Sequence, residues 1–144
     1  MRTIHSILRE KGNNIWHVNP ATSVFDALKI MADKEIGALL VMDGKRLLGV
    51  FSERDYARKV ILKGKSSKEM TVREIMSVPP IFISPEETNE QGLAIMSAKH
   101  IRHLPVMDGN QVKGVVSIGD LVKSIIDEQK IVIDKLERHI LSNY

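Results

Sequence analysis

The chain has 144 residues, 43% hydrophobic and 27% charged, with a formal net charge of +3 and no cysteine. That length suits one ordinary domain or two small lobes sharing a core, and the missing cysteines exclude disulfides and thiol catalysis. No apolar run reaches the roughly 18–20 residues that span a bilayer, and Lys and Arg interleave with Asp and Glu as on a solvated mixed surface, which argues against a nucleic-acid footprint.

The opening MRTIHSILREKG has neither a continuous hydrophobic stretch nor a small-residue cleavage site. No secretory leader is expected, and the cytoplasm is the default compartment. A short β run, IWHV at 15–18, leads to Pro20. Ser23 is placed to cap a helix with Asp26 at its third position, and Val24, Ala27, Leu28 and Met31 fall on one face. GALLVM and KRLLGV flank Asp43-Gly44, which predicts a β-hairpin whose type I′ turn has positive φ at both central residues. A second helix is expected from Ser52, burying Tyr56, Ala57, Val60 and Ile61, with Gly64 as its stop. The polar run KGKSSKEM (63–70) reads as a linker.

The rest of the chain repeats this plan. Aligning 20–60 with 85–125 gives identity at fifteen of 41 positions, including Pro20/Pro85, Asp43/Asp108, Gly44/Gly109, Ser52/Ser117 and Asp55/Asp120. An internal repeat follows. IFI at 81–83 is the matching β run, Thr88 with Gln91 the matching cap, and Leu121, Val122, Ile125 and Ile126 the matching buried stripe. The expected fold is α/β (α+β): two β-α-β-β-α units packed about a pseudo-twofold axis, with an N-terminal helix and an extended C-terminal one. The first repeat is assigned to 1–64, the linker to 65–70, and the second repeat with the C-terminal helix to 71–144. In that last helix Val122, Ile125, Gln129, Val132 and Leu136, widened by Ile126, Ile133 and Ile140, form a stripe longer than one core needs, which predicts a partner helix from a second copy.

The repeat, the hairpins and the two endings GVFSERD (49–55) and GVVSIGD (114–120), preceded by IGALLVMDG and IRHLPVMDG, resemble a tandem pair of cystathionine-β-synthase (CBS) domains, or Bateman module, of the small stand-alone kind. The resemblance covers roughly 3–126. It implies a non-catalytic regulatory module that binds AMP, ATP or NAD(H) in clefts between the repeats, forms a homodimer, and signals energy or redox state to a regulated protein, a thioredoxin-like or metabolic enzyme. Alternatives are a nucleotide-free dimeric scaffold and a weak nucleic-acid binder.

Ser-x-x-Asp at a strand-to-helix junction is in the first instance a capping box. The same geometry suits a nucleotide, because free helix amides can take a phosphate and the carboxylate can accept both ribose hydroxyls. Those are the roles the family assigns to the positions of Ser52/Asp55 and Ser117/Asp120, with Ile118 and Gly119 between the latter pair. The adenine is expected on Ile15, Ile36 and Ala38, and on Ile81 and Ile101. Arg102 and His103 stand where the first repeat has Gly37 and Ala38, on a strand resembling the family's phosphate-facing one; a surface arginine and a packed strand histidine are the alternatives. Arg54 and Arg58 flank the first helix start, where the second copy has Gly119 and Lys123. Pro105 cannot donate to a ladder, so its strand is expected at an edge or beside a cleft. Two unequal sites follow. His100 and His103 straddle a helix-strand junction without the companions of a metal site. Phosphate-loop, dinucleotide-binding and hydrolase-elbow motifs are missing, so neither an enzyme nor a catalytic cofactor is expected.

Overall fold

Short polar side chains set the helix starts. In the computed structural model, which describes residues 1–12 and 14–142, Thr3, Ser23, Ser52, Thr88 and Ser117 each accept a hydrogen bond from the amide three residues on, at 3.0–3.2 Å. Each such cap contributes about 1 kcal/mol. Asn13, Asn143 and Tyr144, which fall inside the expected repeat ranges, lie outside the described residues.

The caps open α1 (Ile4–Lys11), α2 (Val24–Lys34), α3 (Glu53–Tyr56), α5 (Asn89–Lys99) and α6 (Ile118–Ser142). The remaining helix, α4 (Val72–Ile75), follows the linker. The first sheet runs β1 (His17–Val18), β2 (Ala38–Asp43), β3 (Arg46–Ser52), with β1 parallel and β3 antiparallel to β2. The second holds β4 (His103–Asp108) and β5 (Gln111–Ser117), antiparallel.

Both hairpins form, but not with the expected turn. Asp43 pairs with Arg46 and Asp108 with Gln111, so the loops are Gly44-Lys45 and Gly109-Asn110. Only the glycines have positive φ, 61° and 62°. A bulge in the return strand shortens each loop to two residues: Val41 faces Gly49 while Met42 faces Leu47, so Asp43 meets Arg46 rather than Leu47, and Val106/Met107 repeats this against Gly114 and Val112. The expected strand at 81–83 is reduced to one parallel bridge, Ile83 to Val106. In the first repeat Leu40 donates its amide to the Trp16 carbonyl at 3.3 Å. Pro105 holds the matching place and has no N–H, so the ladder stops there.

Because successive strand residues face opposite ways, each sheet has two buried faces. Leu39, Val41 and Phe51 meet Val18, Val24, Ala27, Met31 and Val60 in one core, and Leu104, Val106 and Val116 meet Ile83, Met96 and Leu121 in the other. Leu40, Met42 and Leu47 turn the other way and pack with Val50, Met107, Val112 and Val115, joining the repeats. The leading helices cross over. Ile4, Ile7 and Leu8 of α1 complete the second core, and Val72 and Ile75 of α4 complete the first. Matching backbone bonds fasten them, Ile4 to the Glu87 carbonyl (2.8 Å) and Val72 to the Thr22 carbonyl (2.9 Å).

The stripes after the two serines are narrower than expected. After α3 the chain winds as a π-helix over Ala57–Ile61, which buries Val60, half-buries Tyr56 and leaves Ala57 and Ile61 exposed. In α6 the buried face is Leu121 and Ser124 with Ile125 half-buried, while Val122 and Ile126 are exposed. Ser124 accepts from the Asn89 amide at 3.0 Å, so a polar contact holds that position. From Gln129 to Ser142 every residue of α6 is exposed, including Val132, Ile133, Leu136 and Ile140.

Candidate functional site

The pseudo-symmetry places the helix start of each repeat against the strand entry of the other, leaving two clefts. The first has a volume of about 440 Å³ and the second about 380 Å³, both within the range of small-molecule sites.

In the first cleft Ser52, Arg54, Asp55 and Arg58 face Ile81, Ile101, Arg102 and His103, with Ser77, Pro79 and Pro80 closing one side. Asp55 is 9% exposed. Its Oδ2 accepts from the Ser52 amide (2.9 Å) and hydroxyl (3.1 Å), and its Oδ1 accepts from the Ser77 hydroxyl at 3.1 Å. Lys59 lies 3.2 Å from Oδ1 and donates to the Ile75 carbonyl. Lys59 and Lys99 join Arg54, Arg58 and Arg102 on the lining, where Glu53 and Asp55 are the carboxylates. The arginines of the first repeat therefore share one cavity with the Arg102-His103 pair of the second, because the hairpin of one repeat reaches the helix start of the other. Arg54 also spans the repeats by donating to the His100 carbonyl at 3.3 Å.

The second cleft is lined by Ile36, Gly37, Ala38, Ser117, Val115, Trp16 and Glu35, together with Lys11 at the end of α1 and Gly12 and Asn14 beyond it. Asp120 repeats the capping box, its Oδ2 accepting from the Ser117 amide at 2.8 Å. The same oxygen takes the Lys11 ammonium at 2.6 Å, and Lys11 also donates to the Val115 carbonyl at 2.9 Å. Burial opposes ionisation of Asp120, but the Lys11 hydrogen bond, the Ser117 amide and the Lys11 charge together hold its carboxyl below the ordinary range.

Gly37 and His103 border both clefts. A side chain on Gly37 would bring Cβ within 3.1 Å of the imidazole, so the glycine makes room for it. Burial, then the charges of Lys11 and Arg102, push the His103 pKa down, and Asp120 only partly opposes them. His103 is neutral near pH 7.

Of the residues singled out from the sequence, five lie outside both linings: Ile15, Pro105, Ile118, Gly119 and Asp120. Ile15 packs against the Leu40–Met42–Leu47 cluster, because the chain before β1 turns toward the inter-repeat face. Pro105 is buried within its sheet; the ladder it interrupts leaves Ile81 on the first cleft. Ile118 is exposed, and neither it nor Gly119 lines the second cleft, whereas Asp120 reaches that cleft through Lys11. Ser77, Lys59, Lys99 and Lys11 were missed. Ser77 opens the SVPP stretch (77–80), a composition shift that marks the loop. Lys11 carries no local signal, since its partner is 109 residues away.

Two repeats of one plan, with the leading strand of the second reduced to a single bridge, crossed leading helices and a pair of clefts between them, define a tandem CBS pair. The family profile described as CBS domain matches residues 7–62 and 72–127. The chain belongs to the CBS-domain family and carries two such domains, a regulatory and non-catalytic module. It is 34% identical over 152 residues to the CBS domain-containing protein CBSX3, mitochondrial, of Arabidopsis thaliana, covering 99% of this chain and 73% of that protein. A solved structure of a protein with CBS domains from Burkholderia ambifaria superposes with a TM-score of 0.85 at 45% identity, over 89% of this chain and 96% of that one. The CBS pair of protein MJ0100, solved with 5′-methylthioadenosine and S-adenosyl-L-methionine, shares the fold at 24% identity and a TM-score of 0.78, over 89% and 98% of the two chains. Among the described residues no helix is long and apolar enough to cross a membrane.

Proposed function

We propose that the first cleft binds an adenine nucleotide, favouring a triphosphate such as ATP over AMP, and that its occupancy is relayed to a regulated protein. The observation that carries this is the convergence, in one cavity, of a buried carboxylate, an apolar wall and five Lys or Arg side chains drawn from both repeats. The Ser77 hydroxyl on Asp55 Oδ1 marks the position a ribose hydroxyl would take. Ile81 and Ile101 offer apolar surface to the base. Arg54, Arg58, Lys59, Lys99 and Arg102 outnumber the two carboxylates, so a more highly charged phosphate chain gains more on entry. The bound 5′-methylthioadenosine and S-adenosyl-L-methionine of the MJ0100 pair support an adenosine-containing ligand. NAD(H) carries the same adenosine with fewer charges than ATP.

We also assign a homodimer. The exposed Ile118, Val122 and Ile126 lie on one face of α6, and Ile133, Leu136 and Ile140 continue exposed apolar surface along it. A second copy of the helix covers such a stripe most simply. Ligand in a cleft that spans both repeats then shifts their relative arrangement and, through the dimer, the surface shown to a redox or metabolic enzyme.

Calorimetric titration of ATP, AMP and NAD(H) into wild type and Asp55→Ala tests the reading. ATP is expected to bind most tightly, and the substitution to weaken it by about tenfold or more, as for loss of charge-assisted hydrogen bonds. Absence of any binding tighter than millimolar, or an unchanged affinity in Asp55→Ala, rejects it in favour of a nucleotide-free scaffold.

A further inference from the structure

Asp55 and Asp120 hold equivalent places, yet the groups on them come from different parts of the chain. On Asp55 the ammonium is that of Lys59, one turn along the same helical segment, and the other partner on Oδ1 is a neutral hydroxyl. The position matching Lys59 in the second repeat is Ser124, turned inward onto Asn89. Asp120 instead takes its ammonium from α1, across the mouth of the cleft.

Three features bring Lys11 there. Leu8 anchors α1 on Gly114, where any side chain would place Cβ only 2.9 Å from the leucine. This puts the end of α1 beside Val115, whose carbonyl takes the second Lys11 hydrogen bond. Lys11 is the last residue of α1 and Gly12 follows with φ 87°, so the side chain can let go without disturbing Ile4, Ile7 and Leu8 in the core. Lys11, Gly12 and Asn14 all line the second cleft.

We propose that Lys11 is a displaceable occupant of the second cleft and decides the order in which the two clefts fill. Its ammonium lies on the carboxylate that a ribose would use, so an adenosine ligand must break the Lys11–Asp120 contact to enter. In the first cleft the ammonium on Asp55 is that of Lys59, which belongs to the same helical segment and is also held by the Ile75 carbonyl, so the group a ligand hydroxyl replaces there is the neutral Ser77 hydroxyl. The charge balance works in the same direction: Lys11 in the second cleft is offset by Asp120 and Glu35, whereas the first has a cationic excess. A nucleotide therefore fills the first cleft before the second, and the N-terminal helix senses second-site occupancy through the release of Lys11.

This rests on the nucleotide reading of the first cleft, and the experiment separates the two. ATP and adenosine are titrated calorimetrically into wild type, Lys11→Met, Lys11→Gln, Asp55→Ala, Asp55→Ala/Lys11→Met and Lys11→Met/Asp120→Ala, with circular dichroism confirming the fold of each. Methionine keeps the apolar stem, and glutamine is the second neutral replacement should methionine perturb packing. Wild type is expected to show one dominant event per chain. Either neutral variant should tighten the second event by about five- to tenfold, the scale of a part-exposed charge-assisted contact, without moving the first. The gain should persist in Asp55→Ala/Lys11→Met and disappear when Asp120 is also removed. Wild-type binding with no change in either Lys11 variant overturns the inference and leaves the first-cleft reading standing. A weaker second event also overturns it, making Lys11 a ligand contact. No binding in any protein removes both readings.

Discussion

The two clefts begin from the same seven-residue pattern, a strand ending in Ser-x-x-Asp, and arrive at different electrostatics. Asp55 faces a wall that collects arginines from both repeats, while Asp120 faces the end of α1 and is tied to Lys11. The capping geometry is nearly the same at both, with amide-to-carboxylate distances of 2.9 and 2.8 Å. What differs is supplied by whichever segment the pseudo-twofold packing brings opposite. A duplicated scaffold thus keeps its backbone chemistry while its sites diverge through a few side chains on the facing repeat.

That comparison can be broken most strongly at the two glycines that admit the crossing segments. A Cβ on Gly49 would lie 2.8 Å from the Ser77 carbonyl oxygen, a backbone atom, whereas one on Gly114 meets only the end of the Leu8 side chain at 2.9 Å. Gly49→Ala is expected to destabilise by about 2–3 kcal/mol, within the range for overpacking, and Gly114→Ala by about 1 kcal/mol because leucine can rotate aside. Thermal melts of the two variants check this, and equal shifts would contradict it. Gly49→Ala also displaces Ser77 and should weaken ATP binding, while Gly114→Ala leaves the first cleft unchanged.

A smaller effect is expected at Arg102. If the cations of one repeat serve the cleft of the other, Arg102→Ala lowers the ratio of ATP to AMP affinity by about three- to fivefold, with little change in adenosine binding. Competition titrations at fixed ionic strength measure that ratio, and an unchanged value would detach Arg102 from the phosphate end.

The smallest effect concerns His103, which separates the clefts. Its folded-state pKa lies below 6.5, so the unfolded chain takes up a proton first as pH falls. The stability associated with neutral His103 is complete above about pH 6.5 and is lost on acidification toward its folded pKa. Wild-type Tm should fall between pH 7 and 5, and His103→Gln should flatten part of that slope. Phosphate in the first cleft favours the imidazolium, so ATP binding near pH 6 should be accompanied by proton uptake. Identical slopes for wild type and variant would show that His103 does not contribute.

Much of the scaffold was legible because it is governed by short-range chemistry. Ser23, Ser52, Thr88 and Ser117 cap helices where polar side chains stand before amphipathic segments, and the two Asp-Gly hairpins form where apolar runs flank a glycine. The Asp-Gly pair does not centre either turn because the strand register pairs each Asp with the return strand, and no local residue announces that register. The strand at 81–83 was overread because the residue that shortens it, Pro105, lies on a different segment. The same distance effect explains the site. Ser52, Asp55, Ser117 and Asp120 recur at a fixed spacing and could be found; Lys11 and Ser77 become neighbours of those carboxylates only through packing. Ile15 shows the converse, an apolar residue beside the first strand that turns to the inter-repeat cluster rather than a cleft.

By itself, the sequence determined a duplicated unit, its helix starts and hairpins, and the two carboxylates at the foot of the second helices. Those features depend on backbone hydrogen bonds and apolar periodicity within about ten residues. The tertiary structure alone decided that α1 and α4 exchange cores, that Arg54 and Arg58 share a cavity with Arg102, and that Lys11 lies on Asp120. Contacts of that kind arise when a folded surface brings distant side chains within a few ångströms, and their energies depend on a proximity that spacing along the chain does not encode.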